Sequence, residues 1–189
     1  MREKKNTLNI CAALVLGAAL LSSTAAFATT ADGTLGATST GTADVTLTIA
    51  EQFQISDMDA FTFGAYGGTG DFNANDDICM YHNGDGSYRV TITDDSVNVT
   101  PNDFAVEDAA DGAEIAMSIF WNDASGTAGE AAATHGTAIT PQSGANVTIA
   151  DCSVGGLTAN LHVVLAEAAL QAATAGAYDS ELSVLVEPD

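Results

Sequence analysis

The chain has 189 residues, 25 of them acidic and 4 basic, for a net charge of −21. So few Lys and Arg exclude nucleic acid and anionic lipid as partners, because both need cations to neutralise their phosphates. The length suits one domain with a sizeable core, and 47% hydrophobic residues can supply that core.

In chain order, residues 1–28 come first. They combine a basic start (Arg2, Lys4, Lys5), an apolar run from Leu8 to Leu21 and the small-x-small ending Ala26-Phe27-Ala28. This is the pattern of a cleaved secretory signal peptide, and the apolar run is short for a membrane span. Cys11 lies inside the run rather than directly after it, so no lipoprotein anchor is expected. No other stretch is apolar enough to cross a bilayer, and the mature chain is expected to be exported without membrane insertion. Three of the 4 basic residues and one of the 25 acidic ones fall in residues 1–28, which leaves 24 acids against Arg89 alone and a net charge of −23. Cys79 and Cys152 remain, an even number in an oxidising compartment, and they are predicted to pair. Closing that loop is worth roughly 4 kcal/mol in the chain-entropy model. The alternative is two buried thiols.

Residues 29–42 are Thr, Gly and Ala and read as a flexible lead. The stretch GTADVTLTIAEQFQIS, Gly41 to Ser56, then alternates: Ala43, Val45, Leu47 and Ile49 fall on one face, Thr42, Asp44, Thr46 and Thr48 on the other. Phe53 and Ile55 keep the same parity. No Gly, Pro or Asn interrupts residues 42–56, and at strand rise this segment would span roughly 50 Å. A domain of this size has a radius of gyration of roughly 14 Å, so the segment must bend or reach out. Its front half, to Ile49, offers the alternating apolar face and free backbone that strand addition to an open sheet edge requires. Its back half, Gln52 to Ser56, is expected to belong to the domain at 51–189. An edge strand bent near Glu51 and Gln52 is the other reading.

The rest reads as short strands: Phe61 to Tyr66, Ile78 to Tyr81, Tyr88 to Thr93, Phe104 to Val106, Ile115 to Trp121, Asn146 to Ala150, Asn160 to Ala166 and Glu181 to Val186. Turn signals such as Gly67-Gly68, Asn83-Gly84-Asp85-Gly86, Asp111-Gly112, Pro141 and Gly155-Gly156 separate them. Frequent short strands so punctuated indicate an all-β sandwich or barrel. Glu167 to Ala175 has helical composition and is expected to form one short turn of helix. In the last strand Leu182, Val184 and Val186 share a face with Tyr178, and Pro188 ends it. No further strand is expected to cover that edge, and an open apolar edge is an aggregation hazard.

Chemical sites are sparse. His82 beside a turn, His135 in a Gly/Ala loop and His162 on a strand form no spaced pair with Cys or Glu that suggests zinc, and each reads as a plain surface or edge residue. There is no G-x-S-x-G elbow, and Ile115, Met117, Ile119 and Trp121 at period two read as core. No enzyme, metal or cofactor is expected. Asp71, Asn73 and Asn75 have the alternate spacing of a calcium loop, but Asp76 replaces its turn Gly and His82 its closing Glu, so a solvated acidic loop is the expectation.

Taken together, GTADVTLTI, FTFGAY, ICMYHNGDGSYRVTI and GAYDSELSVLVEP resemble chaperone-usher pilus subunits, and within them the archaic branch with the spore coat protein U domain. That family commonly has a Cys soon after the donor strand, where this chain has Phe53 and Ile55. The resemblance implies an immunoglobulin-like incomplete β-sandwich at 51–189, completed by donor-strand exchange. It makes Ala43, Val45, Leu47 and Ile49, within an N-terminal segment at 29–50, the donor strand, and Leu182, Val184 and Val186 the border of the acceptor groove. It also implies copies of the same chain or other pilus subunits as partners, a periplasmic chaperone and an outer-membrane usher in transit, and an extracellular fimbria as destination. The competing class is a self-contained secreted binding module for carbohydrate or calcium, its first strand paired within its own domain.

Overall fold

The computed structural model of the chain describes residues 30–96 and 103–189, so the expected signal peptide lies outside the described residues. They separate into two units, one ending at Ile49 and the other running Ala50–Asp189. In the first, β1 (Thr30–Ala31) pairs antiparallel with β2 (Thr42–Ala43). Residues 44–49 then continue without ladder, turn or bend.

The second unit contains β3 (Phe53–Ser56), β4 (Phe72–His82), β5 (Tyr88–Asp94), β6 (Phe104–Asp108), β7 (Glu114–Asn122), β8 (Ala131–Ala132), β9 (Ile139–Gln142), β10 (Ala159–Leu165), α1 (Glu167–Ala172), β11 (Tyr178–Asp179) and β12 (Leu182–Glu187). One antiparallel sheet has the order β11-β6-β7-β10-β4-β3, with β8 added to β7, and the other has the order β12-β5-β9. Period-two alternation explains why the two sheets share a core. Tyr88, Val90 and Ile92 of β5 meet Ile78 and Met80 of β4, Ile119 and Trp121 of β7, and Leu161 and Val163 of β10 in one buried cluster. Tyr88 and Trp121 meet edge to face, their ring centroids 6.5 Å apart. The Tyr88 hydroxyl donates to Asp123 Oδ1 at 2.7 Å. Burial pushes that phenol well above its ordinary range, and the bond to Asp123 adds to the shift. No helix among the described residues is long and apolar enough to cross a membrane.

Several sequence expectations are corrected. The long strand expected from Asp44 to Ile55 carries ladder only from Phe53 onward, in β3, and residues 44–52 lie in no sheet. The stretch Asn146 to Ala150 is not a strand beyond a single bridge between Asn146 and Tyr81. There Asn146 Oδ1 accepts from Thr148 N and Ile149 N, and such local side-chain bonds divert the backbone into a turn. The suspected acidic loop at Asp71, Asn73 and Asn75 is instead the approach to β4 and its first half. The Asn73 and Asn75 carboxamides are used by His162 (2.8 Å) and Asn160 (3.0 Å) of β10. Pro141, read as a turn signal, lies within β9, an edge strand where its missing N–H costs little.

Candidate assembly site

Residues 50–52, which follow the strand-like arm of residues 44–49, lie at the far end of β4. Asn83, the first residue of the Asn-Gly-Asp-Gly turn, holds them from both sides. Gln52 N donates to Asn83 Oδ1 (2.8 Å), Asn83 Nδ2 donates to Ala50 O (3.0 Å), and Asn83 N donates to Gln52 O (3.2 Å). Sequence reasoning saw only a turn residue there. The signal was available, since Asn at a turn commonly bonds nearby backbone. Upstream, all of residues 41–50 are exposed. Val45 is 94%, Leu47 83% and Ile49 75% exposed, so the apolar face that alternation creates is left to water. Burial of each such side chain would contribute about 1.5 to 3 kcal/mol. Ala43 stands apart from these three, because it is taken up in the ladder with Thr30.

The last strand has the opposite deficit. β12 pairs along its whole length with β5, from Leu182 opposite Asp94 to Glu187 opposite Arg89, and no ladder partner lies on its other edge among the described residues. Leu182, Val184 and Val186 are half-buried against the core, while Ser183 and Leu185 point the other way. The start of the strand is pinned by Asp95. Its Oδ1 accepts from Glu181 N at 2.7 Å and from the Ser180 hydroxyl at 3.2 Å, and its own N–H donates to Glu181 O. The Glu181 N–H holds the Asp95 carboxyl below the ordinary aspartate range against the opposing cost of desolvation, and the Ser180 hydroxyl adds to the lowering.

Phe61 to Tyr66 has the composition of a strand but no ladder. Asp57, at φ 61°, takes the left-handed backbone that ends β3, and residues 57–67 then run without turn or bend. Phe61, Phe63 and Tyr66 are half-buried against the core, and Phe63 stacks on Phe72 with ring centroids 5.3 Å apart. Tyr66 meets the same Phe72 edge to face. This segment therefore has apolar anchors and unpaired backbone together, as β12 does on its outer edge.

Cys79 and Cys152 are joined by a disulfide. The histidines are not the plain surface groups expected. His82 is buried, stacks on Phe53 and accepts Gly86 N–H at Nδ1 (3.2 Å). His162 is buried between Glu130, 2.9 Å from Nδ1, and Asn73. His135 Nε2 lies 3.1 Å from Asp94 Oδ1. Each fastens a loop or strand to its neighbour. Among the described residues no group of three or more His, Cys, Asp or Glu side chains is placed to hold a metal ion.

No family model and no curated protein matches the chain. Solved structures do. One is a chain of a chaperone–tip adhesin complex vital for synergistic activation of CFA/I fimbriae biogenesis, with a TM-score of 0.53 and 17% identity; the match covers 72% of this chain and 41% of that one. Another is CfaE, the adhesive subunit of the CFA/I fimbria of enterotoxigenic Escherichia coli, with a TM-score of 0.47 and 19% identity, covering 65% of this chain and 37% of that one. The chain thus spans less than half the length of either. At such identity the likeness is one of fold: this is an all-β, immunoglobulin-like sandwich of the kind found in fimbrial subunits.

Proposed function

We propose that the chain is a structural subunit of an extracellular pilus, polymerising by inserting residues 44–50 into an open groove of the next subunit. In this reading the groove is bordered by β12 and the Phe61–Tyr66 segment, which offer unpaired backbone and half-buried apolar side chains. The inserted strand supplies what both lack, a ladder partner and an apolar face, by the physics of strand addition. One observation carries the reading: Val45, Leu47 and Ile49, alternating on a strand-like arm, are 75% exposed or more in a chain whose last strand, among the described residues, has one edge without a ladder partner. An exported, strongly acidic chain fits a surface filament better than an intracellular partner. A periplasmic chaperone and an outer-membrane usher would protect and deliver such an open edge, and the sequence resemblance to the spore coat protein U branch supports this reading.

The test is complementation. The chain lacking residues 29–50 should be poorly soluble or unstable alone, and a peptide of Gly41 to Ala50 should rescue it. Cooperative folding of the truncated chain as a monomer, with its midpoint unmoved by the peptide, would show that the sandwich is complete and that strand donation is wrong.

A further inference from the structure

The Ala50–Asp189 unit exposes a second set of apolar side chains. Val147 is 52% and Val154 58% exposed, and Ile149 and Leu157, in the same loop, are also exposed. This loop is held firmly. Cys152 is bonded to Cys79 of β4, Asn146 Oδ1 accepts from Thr148 N and Ile149 N, and Asn146 Nδ2 donates to Val154 O. At its start the Asp123 carboxylate accepts from Ser143 N and Gly144 N. At its end the Thr158 hydroxyl donates to Met80 O and accepts Met80 N. A loop so fastened presents its aliphatic groups in fixed positions, and four exposed aliphatic side chains within eleven residues are more than the scattered single ones of an ordinary surface.

Two features say what meets it. The first is place. At the end of β4, His82 pairs with Phe53 on one edge, while on the other its N–H donates to Asn146 O at 3.0 Å; the next residue, Asn83, clasps Ala50. The apolar loop and the root of the arm are therefore one strand apart at the same end of the sandwich. The second is charge. Residues 143–158 carry a single charged side chain, Asp151, in a chain with 25 acidic residues.

We propose that loop 147–157 is a second contact between copies of this chain, made against the copy that receives the arm. The inference rests on the strand-donation reading and adds a surface to it. A neighbour tethered through Ala50 is held beside this end of the donor. Two strongly acidic bodies repel, and they approach at least cost where charge is sparse and apolar surface can leave water. Strand donation joins the subunits through an unladdered arm, and the loop contact fixes the angle between them.

The experiment uses the full chain with V147D and V154D together. Both side chains are exposed, so folding, checked by circular dichroism and by the absence of free thiols, should be kept. Strand exchange should proceed as in the parent, but filaments should bend more, with a persistence length several-fold shorter in electron micrographs, and low salt should exaggerate the loss. Independently, a photo-crosslinking residue at Val154 in otherwise unchanged filaments should join adjacent copies, and this arm decides the matter where V147D/V154D does not fold. Filaments as stiff as the parent's, or crosslinks confined to single chains, would overturn the loop contact while leaving strand donation standing. Absence of any filament from the parent chain would overturn both.

Discussion

The arm at residues 44–50 and the final strand β12 are written in the same pattern and have opposite fates. Val45, Leu47 and Ile49 alternate with the polar Asp44, Thr46 and Thr48, and Leu182, Val184 and Val186 likewise share one face of β12, with Ser183 and an exposed Leu185 on the other. Yet the arm is exposed throughout, whereas β12 has a full ladder on one edge and its apolar face half-buried. Alternation sets which face of a strand is apolar; it does not say which strand will lie alongside. The two regions also differ in what is open, since the arm exposes its apolar face and β12, among the described residues, has no ladder partner on its second edge.

The largest effect should come from breaking the parity of the arm. Under the proposed function, L47D places an unpaired charge in a neighbour's groove and removes about 1.5 to 3 kcal/mol of apolar burial, enough to block polymerisation. T46D, on the opposite face, should assemble nearly as well as the parent. Microscopy and size-exclusion chromatography separate the cases. Equal assembly by the two variants would show that this face of the arm does not join subunits. Stable monomers from parent and variants alike would favour a self-contained binding module.

The same comparison shows how far the sequence could be read. Strands that pair within the domain were legible: Tyr88–Asp94 and Glu114–Asn122 were expected almost to their ends, because alternation and flanking turns agree there. The candidate site was legible as pattern and illegible as partnership. Phe61 to Tyr66 reads as a strand and has no ladder, and composition cannot supply the neighbour a ladder needs. The first half of β4 was hidden for another reason. Asn73, Asn75 and Asp77 look like a polar loop, but their side chains bond to Asn160 and His162 of the adjacent strand, a cross-strand pairing that only the register reveals. The arm's clamp at Asn83 was hidden behind a turn motif that explained the residue too readily.

A middle-sized effect should come from the disulfide, which lies in the sandwich and not in the arm. It closes a loop of 73 residues between β4 and the apolar loop. C79A/C152A should lower the unfolding free energy of the sandwich by roughly 4 kcal/mol, seen as a shifted denaturant midpoint, and should leave the exposure of the arm to limited proteolysis unchanged. Loss of less than about 1 kcal/mol would mean that the hydrogen bonds of Asn146 and Thr158 already hold the loop without it.

The smallest effect separates β12 from the arm by pH. The Asp95 carboxylate pins the start of β12 and is held below the ordinary aspartate value chiefly by the Glu181 N–H. Because the folded value is the lower one, this stabilisation is complete above the unfolded value of about 3.9 and is lost as pH falls through the folded value. Acidification should therefore loosen the Ser180–Leu182 end of β12 while residues 45–49, which carry no titratable side chain and have no ladder to lose, stay as they are. Following the Glu181 amide by NMR should give a titration with its midpoint below that of an ordinary aspartate, and D95N should abolish it. The Asp151 carboxyl is lowered in the same way by Ser153 N–H. D151N is therefore the control that must leave the Glu181 titration intact. A midpoint at or above the ordinary value, or one that survives in D95N, would mean that the open-edged strand is anchored by its ladder to β5 alone.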